Sequence, residues 1–197
     1  TSATATIAFP SDKAQRSGLT ITSGTINDEF SGVKEAVITL SYLESGDTWY
    51  WDGYWSSSTV KSVTAPAVAT GTLSSTWSYT SGLPGSWAPS GRVYKIKARG
   101  RDVTGNTQDT SVPVVEWLYD VSAPTVAITN VVDMAFYSPA NPLNTISGTA
   151  QDIPNHPFAN LNQVSVRVKR EDVKYWNGND WVGAEDTWVV ASGTDSW

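Results

Sequence analysis

Cysteine is absent from the sequence, and histidine and methionine occur once each among its 197 residues. Without cysteine the chain has no disulfide bonds and no thiolate metal ligands, so each domain must be held together by its side-chain contacts. A Ser-His-Asp or Cys-His arrangement would depend on His156, which lies between Asn155 and Pro157 in a stretch without periodicity. Phosphate-binding glycine motifs and His-rich metal spacings are missing as well. We therefore predict a protein that is not an enzyme and has no catalytic residues.

Positive charge and long apolar runs are also scarce. The chain has 13 Lys and Arg against 19 Asp and Glu, which gives a formal charge of −6. Proteins that bind nucleic acid or anionic lipid without sequence preference normally have a basic face, so neither partner is predicted. No apolar stretch approaches the ~18 residues of a membrane-spanning helix, so no membrane insertion is predicted. The sequence opens without an initiator methionine or a signal peptide, so we expect a processed product or part of a longer chain.

The composition is typical of a β protein. Runs of the helix-forming residues Ala, Leu, Glu and Lys are missing, whereas Thr, Ser, Val, Gly and Pro are plentiful. Hydrophobic residues make up 40% of the chain, as in a globular protein. Ten tryptophans without a cysteine fit a bacterial surface protein better than a small disulfide-bonded domain. The predicted class is all-β, and the predicted location is extracellular or at the cell surface.

An aromatic hairpin at 49–55, Trp-Tyr-Trp-Asp-Gly-Tyr-Trp, recurs as Tyr-Trp-Asn-Gly-Asn-Asp-Trp at 175–181. Asp-Gly and Asn-Gly favour tight hairpin turns because both residue types accept positive φ. Two further landmarks recur in the same order: Ser23-Gly24-Thr25 as Ser147-Gly148-Thr149, and Thr76-Trp77 as Ser196-Trp197. An offset of about 120 to 125 residues at each landmark indicates an internal duplication. We predict two domains, residues 1–121 and 122–197.

Alternating apolar residues mark the predicted strands. Tyr94, Ile96 and Ala98 alternate with lysine and arginine along 93–101, so the apolar set should face the core while the basic set faces outward. Residues 36–42 alternate in the same way. These two stretches are the clearest strands of the first copy.

The ends of other strands are read from proline and glycine. Ala5–Phe9 is interpreted as the first strand, and Leu19–Ser23 as the start of a second strand that ends at Gly24. Ala65-Pro66-Ala67 is interpreted as a loose connection. The strand at 36–42 is expected to be turned back by the aromatic hairpin.

The second copy repeats this plan with Val164, Val166 and Val168 facing inward, and it stops at Trp197. In the first copy the equivalent Trp77 is followed by a segment that includes two more strands. The second copy is therefore expected to lack its last two strands, which would leave a core and a strand edge uncovered. The cover could come from continuation of the chain or from strands donated by a neighbouring copy.

Residues 94–107, Tyr-Lys-Ile-Lys-Ala-Arg-Gly-Arg-Asp-Val-Thr-Gly-Asn-Thr, resemble the penultimate strand and following turn of bacterial immunoglobulin-like repeats. Residues 119–128 resemble the linker and first strand of such tandem repeats. The resemblance implies two tandem immunoglobulin-like β-sandwich domains in a stalk or filament of a surface adhesin or fibre. It also implies neighbouring copies or further repeats of the same protein as partners. Independently, Ser90–Tyr94 has the pattern of a tyrosine corner, and Ile96 stands where an antibody domain has cysteine.

Calcium is the one cofactor for which the sequence offers ligands, because this hard cation needs several oxygen donors. Asp120 and Asp152 are expected to approach the joint between the two copies. The remaining candidates should lie together at the free end of the first copy: Asp28, Glu29, Asp102 and Asn106. No stretch has the dense alternating acids of an EF-hand loop. The alternative is that these residues form turns without metal.

The tryptophans allow two interpretations. Trp77, Trp117 and Trp188 lie in strand contexts and are predicted to be core residues. The hairpin tryptophans are predicted to be partly exposed: Trp49, Trp51, Trp55, Trp176 and Trp181. Exposed aromatic rings mark contacts between subunits or domains, which is the favoured interpretation. They also stack on sugar rings, so a carbohydrate-binding module with glycans as partners is the alternative function.

Overall fold

The computed structural model describes residues 1–57, 59–152, 156–157, 160–183 and 187–197. Every regular element in these ranges is a β-strand, so the all-β prediction is confirmed. No described helix is long and apolar enough to cross a membrane. The chain divides into two compact units, unit 1 (Thr1–Val121) and unit 2 (Ser122–Trp197).

The described residues of unit 1 form ten strands. They are β1 (Thr4–Ala5), β2 (Ala14–Arg16), β3 (Thr22–Asn27), β4 (Val33–Glu44), β5 (Asp47–Trp51), β6 (Trp55–Ser56), β7 (Val63–Pro66), β8 (Ser74–Tyr79), β9 (Arg92–Asp102) and β10 (Val114–Tyr119). A small sheet has the order β1-β3-β8, and a larger one has the order β2-β10-β9-β4-β5-β6, with β7 also paired to β4. The pairs are antiparallel except for β2 with β10, which run parallel.

The two sheets of unit 1 share one hydrophobic core. Ile26 and Trp77 reach it from the small sheet, whereas Ile38, Ile96 and Trp117 reach it from the large sheet. Side chains of two sheets that meet in one layer are consistent with a β-sandwich. The burial of this layer follows directly from the alternation along the strands.

Strand β9 behaves as its sequence predicts. Tyr94, Ile96 and Ala98 are buried, while Lys95 and Lys97 are exposed. The strand lies in the middle of the large sheet, between β4 and β10. Its apolar face therefore supplies the centre of the core.

Gly24 does not end a strand, contrary to the prediction. Strand β3 runs through it from Thr22 to Asn27, and the glycine is paired with Trp77 of β8. A Cβ atom at this position would lie 1.9 Å from the backbone oxygen of Thr6 and 2.9 Å from Cε2 of Trp77. The glycine is required by close approach of other atoms and not by a turn.

The remaining boundaries also differ from the sequence reading. Regular pairing of the first strand covers only Thr4–Ala5, although the Ala8 N–H donates to the Ser23 carbonyl oxygen in continuation of the ladder. The chain turns back at Ser45-Gly46, ahead of the aromatic hairpin, because both residues have positive φ. The segment interpreted as loose is strand β7, whose Ala65 is buried against Ala36.

The described residues of unit 2 form six short strands. They are β11 (Thr125–Ile128), β12 (Gly148–Gln151), β13 (Ser165–Val166), β14 (Tyr175–Trp176), β15 (Trp181–Val182) and β16 (Val189–Val190). They form three antiparallel pairs, β11 with β12, β13 with β16, and β14 with β15. Val164 is the one buried hydrophobic residue in the described part of this unit, while Val166 and Val168 are half-buried.

The two units pair their strands in the same way. Gly24 is paired with Trp77, and Gly148 exchanges two backbone hydrogen bonds with Trp197. A Cβ at Gly148 would lie 2.0 Å from the Ala127 oxygen and 2.5 Å from a ring carbon of Trp197, the same close approach as at Gly24. The repeated landmarks therefore mark equivalent backbone positions.

Two further pairs extend the correspondence. Trp51 faces Trp55 across the first aromatic hairpin, and Trp176 faces Trp181 across the second. Ile38 of β4 pairs with a valine of β7, as Val166 of β13 does with a valine of β16. Strands β9 and β10 have no counterpart among the described residues of unit 2.

Candidate functional site

The hairpin tryptophans of unit 1 belong to an aromatic cluster that continues into the core. Its members are Tyr42, Trp49, Trp51, Trp55, Trp87, Tyr94 and Trp117. The Tyr42 and Trp49 rings are stacked, with centroids 6.1 Å apart, and Trp55 meets Tyr42 edge-on at 4.7 Å. The Trp51 indole N–H donates to the Gly82 carbonyl oxygen at 2.6 Å. The three hairpin tryptophans are half-buried and held by contacts within the unit.

Tyr94 lies at the centre of this cluster and forms the predicted tyrosine corner. Its hydroxyl donates to the Ala88 carbonyl oxygen at 3.2 Å, so the predicted bond to upstream backbone is confirmed. Burial raises the pKa of the phenol, while the Ala88 N–H, which donates to the phenol oxygen at 3.4 Å, and the charge of Arg92 act in the opposite direction. The Arg92 guanidinium lies 4.0 Å from the Tyr42 ring centroid and forms an ion pair with Glu44.

The calcium candidates Asp28, Asp102 and Asn106 come together in one hydrogen-bond network. Asp102 is fully buried and accepts bonds from the Asn106 backbone N–H, the Asn106 amide and the Thr104 hydroxyl, each at 2.8 Å. The Ser31 hydroxyl lies 2.7 Å from an Asp28 oxygen and 3.0 Å from an Asp102 oxygen. Burial acts to raise the pKa of Asp102, but the donated hydrogen bonds outweigh it and hold the pKa well below its usual range.

This network favours a role in the turn over cation binding. The lone pairs of Asp102 are directed at hydrogen-bond donors of the chain, whereas a calcium ion would need them for itself. The Ser31 hydroxyl and backbone N–H also lower the pKa of Asp28. Glu29 is exposed beside the network. Among the described residues no three Asp, Glu, His or Cys side chains are grouped to hold a metal.

The other two calcium candidates lie in different surroundings. Asp120 of unit 1 is buried, and it accepts hydrogen bonds from the Gln15 amide at 2.8 Å and the Ser90 hydroxyl at 2.9 Å. Asp152 of unit 2 is half-buried in a polar groove that also contains Asp195. Calcium binding by these two residues stays a prediction.

The second aromatic hairpin borders an apolar groove of about 700 Å³ in unit 2, which we call the tryptophan groove. Its walls include Val166, Val168, Trp176, Trp181, Val189 and Trp197. Trp176 and Trp181 meet edge-on with centroids 5.6 Å apart. Trp181 is 36% exposed, and the Arg170 guanidinium lies 4.8 Å from its ring centroid.

Trp188 is not a core residue, contrary to the prediction. Its side chain is 55% exposed, and the Arg167 guanidinium lies 5.1 Å from the ring. Trp77 and Trp117 are buried, as predicted. The strand context is similar in all three cases, but in unit 1 a second sheet covers the indole.

Comparison of the chain with protein-family models, with curated proteins and with solved structures finds no match. The site is therefore interpreted from its own geometry.

Two polar side chains that connect segments of unit 1 were missed by the sequence reasoning. The Gln108 amide oxygen accepts from the Ala5 N–H at 2.9 Å and the Gly100 N–H at 3.2 Å, and so connects the small sheet to the large one. Ser31 connects Asp28 to Asp102. Asp28 and Ser31 are three residues apart, which is a turn signal available in the sequence, whereas nothing marks Gln108 as buried.

Proposed function

We propose that the protein is a non-enzymatic structural segment of an extracellular or cell-surface protein, in which tandem immunoglobulin-like repeats build a stalk or filament. The observation that supports this proposal is the repeated strand pairing, in which a glycine packs against a tryptophan in both units. Tandem units of one plan are typical of proteins that space or display other domains. The proposed partners are neighbouring copies or further repeats of the same protein.

The sheet order of unit 1 supports the immunoglobulin-like interpretation. Strands β1, β3 and β8 take the places of A, B and E, while β2, β10, β9, β4 and β5 take those of A′, G, F, C and C′. The tyrosine corner lies at the start of β9, where strand F begins in this fold. A sandwich of this kind needs no disulfide where aromatic side chains fill the space between the sheets.

Surface labelling tests the proposed location and role. Antibodies raised against the chain should label intact cells of the source organism, and immunogold electron microscopy should place the label along stalks or fibres. Labelling that requires lysis of the cells, with none on intact cells or on released fibres, would overturn the proposal. An antibody against a cytoplasmic protein provides the control for intact cells.

A carbohydrate-binding module is the second candidate. It is favoured by exposed aromatic rings in both hairpins, since Tyr54 is 62% exposed and Trp181 is also accessible. A glycan array probed with the full chain tests it, with Tyr54→Ala and Trp181→Ala as variants. Micromolar binding of one glycan, lost in either variant while the fold is retained, would establish this function. The half-buried Trp51 is a poorer probe because its indole is bonded to Gly82.

A further inference from the structure

Strand β4 of unit 1 has strand partners on both edges, whereas its equivalent in unit 2 has described strand partners on one edge. Strand β9 lies along one edge of β4 from Val33 to Tyr42, and β7 and β5 lie along the other. Strand β13 pairs with β16 on one edge, and its other edge has no strand partner among the described residues of unit 2. A free edge presents N–H and C=O groups that can extend a sheet.

The register identifies which residues of unit 2 are equivalent to residues of β4. Val166 pairs with Val189 as Ile38 pairs with Val63, so Val166 corresponds to Ile38. By the same register Val168 corresponds to Leu40. In unit 1 the neighbouring positions on β9 are Ala98 opposite Ile38 and Ile96 opposite Leu40.

The tryptophan groove lies where unit 1 has its β9 side chains. Ile38 and Leu40 are buried beside Ala98 and Ile96 of β9, whereas Val166 and Val168 are half-buried and line the groove. The groove also includes Trp197, whose equivalent Trp77 is buried in unit 1. Apolar walls beside an unpaired strand edge suit a strand with apolar residues on one face.

We propose that the tryptophan groove and the free edge of β13 are a docking site for a β-hairpin of the type formed by β9 and β10. The first strand of the docked hairpin places alternate apolar or small side chains beside Val166 and Val168. Its backbone pairs with β13 in the antiparallel register seen between β4 and β9. This inference rests on the duplication within the chain and is independent of the proposed extracellular role.

The outward-facing side chains beside the groove valines indicate the charge of the occupant. Arg167 and Lys169 alternate with the groove valines and are exposed. They correspond to Thr39 and Ser41, which in unit 1 lie opposite Lys97 and Lys95. Opposite charges on paired strands are favourable and like charges are not, so the occupant should have acidic residues at those two positions. The hairpin of unit 1 is therefore related to the natural occupant without being ideal.

A second copy of the same chain does not supply this hairpin. Its β9 and β10 have Ile96 and Trp117 buried in their own unit, so donation would require unit 1 to unfold. A glycan is also a poorer occupant, because the groove combines its tryptophans with aliphatic side chains and a strand edge needs backbone partners.

The experiment adds synthetic hairpins to the full chain and follows amide hydrogen exchange by NMR. One peptide has the sequence of residues 92–119, a second carries the changes Lys95→Glu and Lys97→Glu, and a control carries Ile96→Lys on the groove-facing side. We expect saturable protection of the Ser165 and Lys169 amides, because the backbone groups of Val164 and Val168 point to the opposite edge and those of their neighbours point to the free edge. The Kd should be about two- to tenfold lower for the acidic peptide. The Ile96→Lys control should give no protection at any concentration tested.

A fusion keeps the test decisive where a free peptide aggregates. Residues 78–121, with the same two glutamate changes, are appended after Trp197 of the full chain, with and without Ile96→Lys in the appended segment. Protection of the Ser165 and Lys169 amides in the first fusion alone supports the proposal. Equal protection in both fusions, no protection in either, or protection of the chain alone through self-association at rising concentration would overturn it. Glycan binding that is lost on Trp181→Ala, together with no binding of any hairpin, would also overturn it.

Discussion

Units 1 and 2 share a pairing plan but differ in how much of it is covered. Trp77 is buried, and its indole N–H donates to the Thr6 and Thr25 oxygens, each at 3.1 Å. The equivalent Trp197 has a buried indole nitrogen without a hydrogen-bond partner among the described residues, and Ile128, which pairs with the same Gly148 as Trp197 does, is 55% exposed. The short sequence motifs that recur in both units therefore suffice for strand pairing. We infer that burial of the side chains also requires strands of the kind formed by β9 and β10.

The largest expected effect comes from the buried indole that β10 adds to the core. Trp117→Ala should lower the stability of unit 1 by about 3–5 kcal/mol, because a fully buried aromatic leaves a cavity when truncated. Guanidinium unfolding followed by circular dichroism measures this. Trp188→Ala in unit 2 is the control and should change stability by less than about 0.5 kcal/mol. Equal losses of stability in the two variants would contradict the claim that the core of unit 1 is covered and that of unit 2 is not.

The amide that joins the sheets of unit 1 should come next. Gln108→Leu leaves the buried N–H groups of Ala5 and Gly100 without their acceptor, at about 1–3 kcal/mol for each group. Thermal unfolding of the full chain reports the loss, with the exposed Gln163→Leu of unit 2 as control. A variant as stable as the parent would show that the two N–H groups find other acceptors.

The matched glycines compare the two units at one equivalent position. Gly24→Ala should cost unit 1 about 1–3 kcal/mol, because the new methyl group overlaps backbone. Gly148→Ala meets the same obstacle, but a smaller loss of stability is expected because unit 2 has little core to disturb. Urea unfolding of both variants measures the two losses. Gly85→Ala and Gly183→Ala serve as controls, since neither position has an atom within 4 Å of the added carbon.

The smallest predicted effect is a pH dependence of the stability of unit 1. The pKa of Asp102 is lower in the folded state than the ordinary 3.8, so its stabilising effect is complete above that value. The effect is lost as the pH falls through the lowered pKa. Melting temperatures of unit 1 should therefore decrease below about pH 4, and Asp102→Asn should reduce the slope. An unchanged slope in the variant would assign the acid sensitivity to other carboxylates.

Sequence patterns predicted what depends on near neighbours along a strand. The alternation of Tyr94, Ile96 and Ala98 was sufficient to place β9, and a short turn followed by tyrosine was sufficient for the corner. Gly24 was misinterpreted as a strand end because a glycine signals either a turn or a close approach. Only the contact with Trp77, distant in sequence, distinguishes the two.

Burial was less accessible to sequence reasoning than pairing. Trp188 has the strand context of a core residue, but no described sheet of unit 2 covers it. Asp28, Asp102 and Asn106 do lie together, as the sequence indicated. The sequence did not show that Ser31 and Thr104 donate hydrogen bonds to the two aspartates. Contacts of this kind depend on tertiary structure.

Amide hydrogen exchange of the full chain as a monomer tests the central contrast most directly. The Ile38 and Ala98 amides of unit 1 should exchange only through global unfolding, because their strands are paired and buried in the core. The Val166 and Val189 amides of unit 2 should exchange orders of magnitude faster, through local opening of a two-stranded ladder. Equal protection of the two pairs in the monomer would contradict the account, because unit 2 would then be closed without a counterpart of β9 and β10.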